Sequence, residues 1–368
     1  MTEVTFLPWL GLRESVQVAG VTLVPWGEFQ ASPGLAAPDR DWLGRYFARY
    51  QRRGGTAVDT ATVVVPREGG LAKALRVLRA AAASCLVWEH AGALSRGNPT
   101  MCPPRGERWL VLTQRYDPAN EFVALREGYT TNVWSLDEFV EVEPLSAGAT
   151  VARLDPPVIG MAEALVAHTE QDEEFGAALD LLVEGTMTSD RHLERLNFVF
   201  LGSALELLAQ AGGERQKAVR IAEALACAVR NARNGCPTAA DAWERAATAA
   251  RRADPELVRV WMAGCDPCDR GSCGRHQQRH TGFYRRRNRV IHEGRAGGDL
   301  LLHQRPDTGE PHSWQMQVGG GGGAHACDIA LVMSGWLLLD RVGGLLERTT
   351  WSRWCHALDG AAGALGFQ

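Results

Sequence analysis

The chain changes character at Asp155, Pro156 and Pro157. Before this point short strand-like runs alternate with two helical stretches, whereas from Val158 to about Arg259 apolar residues recur at helical spacing. A residue that precedes proline is biased toward extended backbone, so the proline pair separates the two regions. We therefore predict an α+β protein, with a mixed α/β domain over residues 1–154 and an all-α helical bundle over residues 155–368.

Lysine is almost absent, and its absence excludes some functions. All 39 basic residues except Lys73 and Lys217 are arginine, as is typical of a GC-rich genome. Ala72 and Gln216 precede the two lysines, so the chain contains no Gly-Lys-Ser/Thr phosphate-binding loop. A P-loop nucleotide hydrolase is therefore excluded.

The sequence carries no sign of export or membrane insertion. Its N-terminus lacks a basic region followed by a long apolar stretch, and no apolar run reaches the ~18 residues of a membrane span. We therefore expect a cytoplasmic location without membrane contact. In that compartment the nine cysteines stay reduced, and a cluster among them indicates metal or redox chemistry.

The first domain contains no catalytic motif, and we assign it to sensing a trigger or binding a partner. Runs rich in β-branched residues predict strands, and apolar residues at helical spacing predict two helices. The predicted strands are Val16–Val24, Thr62–Val65, Trp109–Thr113 and Phe122–Leu125, and the predicted helices are Asp39–Arg53 and Gly70–Ala83.

The second domain is predicted to be helical with two interruptions. A Cys/His insertion occupies residues 264–281, and a Gly-rich loop or hairpin occupies residues 294–325. One predicted helix begins at a cap over Thr188–Asp190 and stops at Gly212. The closing helices are predicted at Ile329–Leu346 and Thr350–Leu358.

Positive charge is concentrated between Arg275 and Arg295. This segment, which we call the basic stripe, holds seven arginines and one glutamate, in a chain whose formal net charge is −4. Such a stripe is typical of binding to a phosphate backbone. The alternative is a solvated helix face whose arginines pair with acidic residues of neighbouring helices.

Within the stripe, RNRVIH at residues 287–292 has the form Arg-Asn-x-x-x-His. Arg275 and His280 have the same Arg-to-His spacing, but only the second pair has an asparagine after the arginine and lies on a predicted helix with an apolar face. On that helix Asn288 and His292 are one turn apart, whereas Arg287 lies roughly 140° from His292. The long side chain of Arg287 would therefore have to reach around the helix to contact the same RNA phosphate as His292.

Two segments together resemble the HEPN superfamily, and its Apea-like branch in particular. They are FYRRRNRVIHEG at residues 283–294 and RLNFVFLGSALELLAQ at residues 195–210. The resemblance covers roughly residues 157–350 and implies an all-helical, metal-independent endoribonuclease domain of the kind found in prokaryotic antiviral and toxin effectors. It implies single-stranded RNA or tRNA as substrate, and a homodimer or a defence-system protein as partner.

The resemblance makes Arg287, Asn288 and His292 the catalytic residues. The 2′-hydroxyl of RNA would attack the phosphate, an imidazole would transfer the proton, and a guanidinium would stabilise the developing charge without a cofactor. Glu206 corresponds to a glutamate that faces the motif in similar proteins, although a simple ion pair is an equal interpretation. The neighbouring arginines expected to bind RNA are Arg285, Arg286, Arg289 and Arg295.

The Cys/His insertion contains Cys265-x2-Cys268-x4-Cys273-x2-His276. Each two-residue spacing lets a pair of side chains reach one ion, and four protein ligands close a tetrahedral site, so the pattern predicts a structural zinc. His280 could substitute for His276, and a plain polar loop is the alternative. Because the insertion departs from the usual family pattern, the shape of the RNA cleft stays open.

Three hypotheses follow from these patterns. The first is a HEPN ribonuclease, and the second is a non-catalytic HEPN module for RNA binding or assembly, because one fold can host several functions. The third is a zinc-dependent DNA-binding regulator. The intact Arg287, Asn288 and His292 favour the first hypothesis, and the apolar face of the basic helix disfavours the third.

Overall fold

The architecture is that of a computed structural model of the chain. It describes residues 2–31, 36–51, 55, 62–66, 70–96, 106–117, 119, 122–127, 130–135, 140–142, 152–187, 194–210, 221, 224–225, 228, 302–304, 311–313, 316–318, 322–324 and 326–364.

A seven-stranded antiparallel sheet organises the N-terminal part. Its strand order is β2-β3-β5-β1-β6-β7-β8. A separate parallel pair joins β4 to β9. The strands are β1 (Thr2–Leu7), β2 (Val16–Val18), β3 (Val21–Pro25), β4 (Tyr50–Gln51), β5 (Thr62–Pro66), β6 (Leu112–Asp117), β7 (Phe122–Glu127), β8 (Thr130–Ser135) and β9 (Glu141–Val142).

One face of this sheet carries an aromatic core. Phe6 on β1 lies opposite Val63 on β5 and Leu112 on β6, so these side chains share a face. The helices α1 (Trp26–Gln30) and α2 (Ala37–Phe47) supply most of the aromatic residues that pack on that face. Phe6 contacts Tyr46, Phe47 and Tyr50 edge to face, with ring centroids 4.9–5.7 Å apart. Edge-to-face aromatic pairs stabilise a core beyond the area that they bury.

The segment predicted as one strand over Val16–Val24 is a hairpin. Val18 pairs with Val21, and the two-residue turn between them has φ of 45° at Ala19 and 80° at Gly20. Two positive φ angles define the mirror-image turn that matches the twist of paired strands. The prediction of a single strand was wrong because it overlooked the change of phase between Val18 and Val21, where an alternation with a period of two is interrupted by Ala19 and Gly20.

Helix α2 ends at Phe47, before the predicted end at Arg53. Tyr50 instead begins strand β4 and is fully buried in the aromatic core. Its hydroxyl lies 2.7 Å from that of Tyr46 and accepts a hydrogen bond of 3.3 Å from the Gln114 amide. Trp42 and Tyr46 therefore lie on helix α2, whereas Tyr50, which has the same spacing in the sequence, lies on strand β4.

The remaining helices are longer than α1 and α2. The helix predicted over Gly70–Ala83 extends to Ser95, and the closing helices lie close to their predicted positions. Short 3-10 turns span Gly106–Trp109 and Gly343–Leu345. The helices are α3 (Gly70–Ser95), α4 (Pro156–Thr169), α5 (Glu173–Glu184), α6 (Glu194–Leu208), α7 (Ala326–Val342) and α8 (Arg348–Ala364).

Two compact units result, and each contains a part of α3. The first unit comprises residues 1–82 and 105–155, and the second comprises residues 83–104 and 156–368. The division at Asp155 lies next to the boundary predicted from the proline pair, whereas the segment 83–104 joins the second unit from earlier in the chain.

The described helices of the second unit pack against one another. The Trp354 indole on α8 donates a hydrogen bond of 2.8 Å to the Pro157 carbonyl at the start of α4. Gly160 on α4 lies against Thr350 on α8, where an added Cβ would be 3.2 Å from the threonine methyl group. Helix α7 packs against α4, α6 and α8.

Between α6 and α7 the structure describes two short antiparallel pairs. Leu302–Gln304 (β10) pairs with Pro311–Ser313 (β11), and Met316–Val318 (β12) pairs with Gly322–Ala324 (β13). Of the two predictions for the Gly-rich segment, a loop or a hairpin, these antiparallel pairs match the hairpin. The predicted α+β class is confirmed, with an N-terminal antiparallel sheet and a predominance of helix among the described residues.

Candidate functional site

Of the residues predicted to form the site, Glu206 lies in the part of the chain that the structure describes, on helix α6. Helix α6 belongs to the segment that resembles the HEPN superfamily. The predicted residues that lie outside the described part of the chain are Arg285, Arg286, Arg287, Asn288, Arg289, His292 and Arg295, together with Cys265, Cys268, Cys273 and His276.

The buried apolar face of α6 fixes the position of Glu206 around the helix. Leu201, Ala204, Leu205 and Leu208 are buried to at least 98%, and their spacing of three and four residues places them on one side of the helix. Helices α5 and α7 pack against α6. Glu206 is half-buried and lies about 100° around the helix from Leu205. It therefore borders the buried face, where a carboxylate can reach both a neighbouring side chain and solvent.

An arginine on α7 holds the C-terminal end of α6. The Arg341 Nε donates a hydrogen bond of 3.3 Å to the Leu208 carbonyl. With its oxygen turned toward the guanidinium, the Gln210 amide accepts from both terminal nitrogens at 2.7 and 2.9 Å. Carbonyls in the last turn of a helix lack helical partners, and arginine is suited to satisfy them. Gln210 itself has a φ of 50°, the left-handed conformation that commonly follows a helix.

The end of α5 approaches α6 closely at Leu201. A Cβ at Gly185, just after α5, would lie 2.8 Å from the Leu201 side chain, so no larger residue fits without displacing α6. The start of α5 is capped by the Asp172 carboxylate, which accepts a hydrogen bond of 3.0 Å from the Phe175 amide. Glu206 is thus carried by a helix that packs against the end of α5 at Leu201 and is held by Arg341 at its C-terminal end.

Among the described residues, no group of three His, Cys, Asp or Glu side chains could hold a metal ion. This finding does not bear on the predicted zinc ligands, which lie outside that part of the chain. The described part also contains no helix with the length and apolarity of a membrane span.

Sequence reasoning missed two contributors to this helical unit. Arg341 was not singled out among the many arginines, and no local pattern distinguishes it, because its partners are backbone and amide groups on another helix. The second half of α3 was also missed, although the chain has neither glycine nor proline between Leu71 and Ala91, which is the signal for a longer helix.

Comparisons of the chain with models of protein families, with curated proteins and with solved structures found no match.

Proposed function

We propose that this protein is a metal-independent endoribonuclease of HEPN type. The observation that carries the proposal is the Arg287-Asn288-x3-His292 motif, which lies in a basic stripe of an otherwise acidic chain. The described helices of the second unit, α4 to α8, support it, because HEPN domains are built from helices; strands β10 to β13 lie in the Gly-rich segment between α6 and α7. In the proposal, the second unit cleaves RNA and the first unit senses a trigger or binds a partner protein.

The proposed reaction uses the substrate's own 2′-hydroxyl as nucleophile. Its oxygen forms a bond to phosphorus while the bond to the 5′-oxygen breaks, which leaves a 2′,3′-cyclic phosphate and a 5′-hydroxyl. His292 transfers a proton, and the Arg287 guanidinium stabilises the charge that builds on the phosphate. Asn288 orients the phosphate, and Glu206 holds Arg287 or His292. No metal ion takes part in these steps.

The substrate proposed is single-stranded RNA or tRNA. Arg285, Arg286, Arg289 and Arg295 supply positive charge for the phosphates on either side of the cleavage point. A homodimer, or a complex with a second protein of a prokaryotic antiviral or toxin system, would complete the cleft. The protein would act in the cytoplasm, where RNA is available.

Zinc in this proposal is structural. Cys265, Cys268, Cys273 and His276 would bind one ion with four protein ligands, which leaves no open position for a catalytic water. The ion would hold the loop that enters the catalytic helix. Measurement of zinc in Cys265→Ser protein tests this part separately, and a zinc content equal to that of the wild type would contradict it.

Cleavage of total RNA in EDTA tests the proposed activity. We expect wild-type protein to cleave, and His292→Ala to lower the rate by about 10²–10⁴-fold, the usual effect of removing a general acid or base. His280→Ala is the matched control, because His280 belongs to the other Arg-to-His pair with the same spacing. The cleaved ends should carry a 2′,3′-cyclic phosphate.

Three outcomes would overturn the proposal. Equal cleavage by wild type and His292→Ala would exclude that histidine as the catalytic group. Cleavage that is lost in EDTA and restored by Mg²⁺ would show a metal-dependent enzyme. No cleavage under any condition, including in the presence of a candidate trigger, would leave RNA binding or assembly as the function of the domain.

A further inference from the structure

Helix α3 belongs to both compact units. It runs without interruption from Gly70 to Ser95, 26 residues, and the division between the units falls between Ala82 and Ala83. At a rise of 1.5 Å per residue, a helix of this length extends about 39 Å. The crossing between Asp155 and Pro156, by contrast, lies at the start of α4.

The first half of α3 is part of the first unit. Before Ala80, its buried residues are Ala74, Val77 and Leu78, which follow one another at three residues and one residue. This spacing defines a single apolar face.

The second half of α3 packs against α7 and α8 of the second unit. A Cβ at Gly335 on α7 would lie 2.7 Å from a Val87 methyl group, and the rings of Trp88 and Trp354 are 5.0 Å apart. The Ser95 hydroxyl donates to the Ala357 carbonyl at 3.4 Å. This part of the helix cannot shift or unwind without disturbing the two closing helices.

The part of α3 around the division between Ala82 and Ala83 is buried and has a high helix propensity. All residues from Ala80 to Val87 are buried. This stretch contains no glycine or proline. It includes four successive alanines, Ala80 to Ala83, and alanine has the highest helix propensity of the amino acids. Backbone hydrogen bonds between residues four apart therefore cross the division, and separating the two halves would require breaking them.

We infer that α3 couples the stability of the two units, so that they open and unfold as one cooperative structure. A substitution, ligand or partner that changes the free energy of one unit then changes that of the other. Because such coupling is reciprocal, a trigger bound to the first unit would stabilise α7 and α8 in the second. The inference does not depend on the proposed ribonuclease activity, since its test measures amide exchange rather than cleavage.

Hydrogen exchange in the full-length chain tests this coupling. Val63→Ala removes two buried methyl groups from the aromatic core of the first unit. We expect exchange in α2 to speed up about tenfold, and exchange in α7 and α8 to speed up by the same factor within about threefold. Val140→Ala is the matched control, because Val140 is 49% exposed, lies outside β9 and should change neither unit when truncated.

The converse experiment uses the second unit. Leu358→Ala, at a fully buried position on α8, should speed exchange in α2 of the first unit. A third protein, with Gly-Gly-Ser-Gly inserted between Ala82 and Ala83, should confine each effect to its own unit. If Val63→Ala leaves α2 exchange unchanged, Phe47→Ala replaces it as the stronger truncation in the same core.

Two results would overturn the inference. Faster exchange in α2 with unchanged exchange in α7 and α8 would show that the units open independently. Persistence of both effects in the insertion protein would show that the coupling runs through another part of the chain.

Discussion

Ala19 occupies a backbone conformation that suits glycine better than alanine. Its φ of 45° lies in the left-handed region, where the Cβ of an L-residue approaches the following carbonyl oxygen. We expect Ala19→Gly to raise the free energy of unfolding by roughly 0.5–1 kcal/mol, because relief of this strain exceeds the entropy cost of glycine. Urea denaturation followed by fluorescence measures the change.

The control for Ala19→Gly is the same substitution at Ala31. That residue follows α1 with an ordinary φ of −80°, so glycine offers no relief there and should lower the stability. A loss of stability at both positions would mean that the hairpin turn is not strained at Ala19.

At the scale of elements, the anchoring of α6 by Arg341 can be measured. Arg341→Met keeps much of the apolar stem but removes the donors to Leu208 and Gln210, and we expect it to lower the free energy of unfolding by about 1–3 kcal/mol. Arg341→Lys should recover part of this loss, since an ammonium lacks the planar fork of the guanidinium. Amide exchange in residues 201–210 should speed up more than in α5.

Arg348→Met provides the matched control for that experiment. Arg348 is exposed at the start of α8, so its replacement should change the stability by less than about 0.5 kcal/mol. If Arg341→Met is equally neutral, the contacts at the end of α6 contribute nothing to its position.

At the scale of the whole molecule, the second unit is discontinuous in sequence. A fragment of residues 156–368 lacks Val87 and Trp88, which lie against Gly335 and Trp354. We expect it to lose cooperative thermal unfolding, because truncating large core side chains costs several kcal/mol and a typical domain has only 5–15 kcal/mol in total. Joining residues 83–104 to Pro156 through a flexible linker should restore a cooperative transition. Calorimetry distinguishes the two fragments, and equal Tm values would contradict the prediction.

Local patterns predicted much of the fold and failed where distant contacts intervene. The predicted strands at Thr62 and Phe122 and the two closing helices lie close to those of the structure. Strand β1 was missed, although the alternation of Val4 and Phe6 identifies it. Tyr50 was assigned to a helix because its spacing from Tyr46 suits one, whereas pairing of β4 with β9 holds it in a strand.

For the candidate site too, local sequence identifies some features and distant contacts determine others. The identities and spacing of Arg287, Asn288 and His292 are matters of sequence, and so is the chemistry that they favour. The anchoring of the helix that carries Glu206 is not, because Arg341 lies 135 residues further along the chain and reaches carbonyl and amide groups that have no sequence signature.

Composition, periodicity and the proline pair were sufficient to predict an α+β chain. They could not assign residues 83–95 to the second unit. The reason is physical. Periodicity shows that a helix has an apolar face, but the partner of that face depends on which elements compete to bury it. For α3, that partner changes along a single helix, from the first unit to the second.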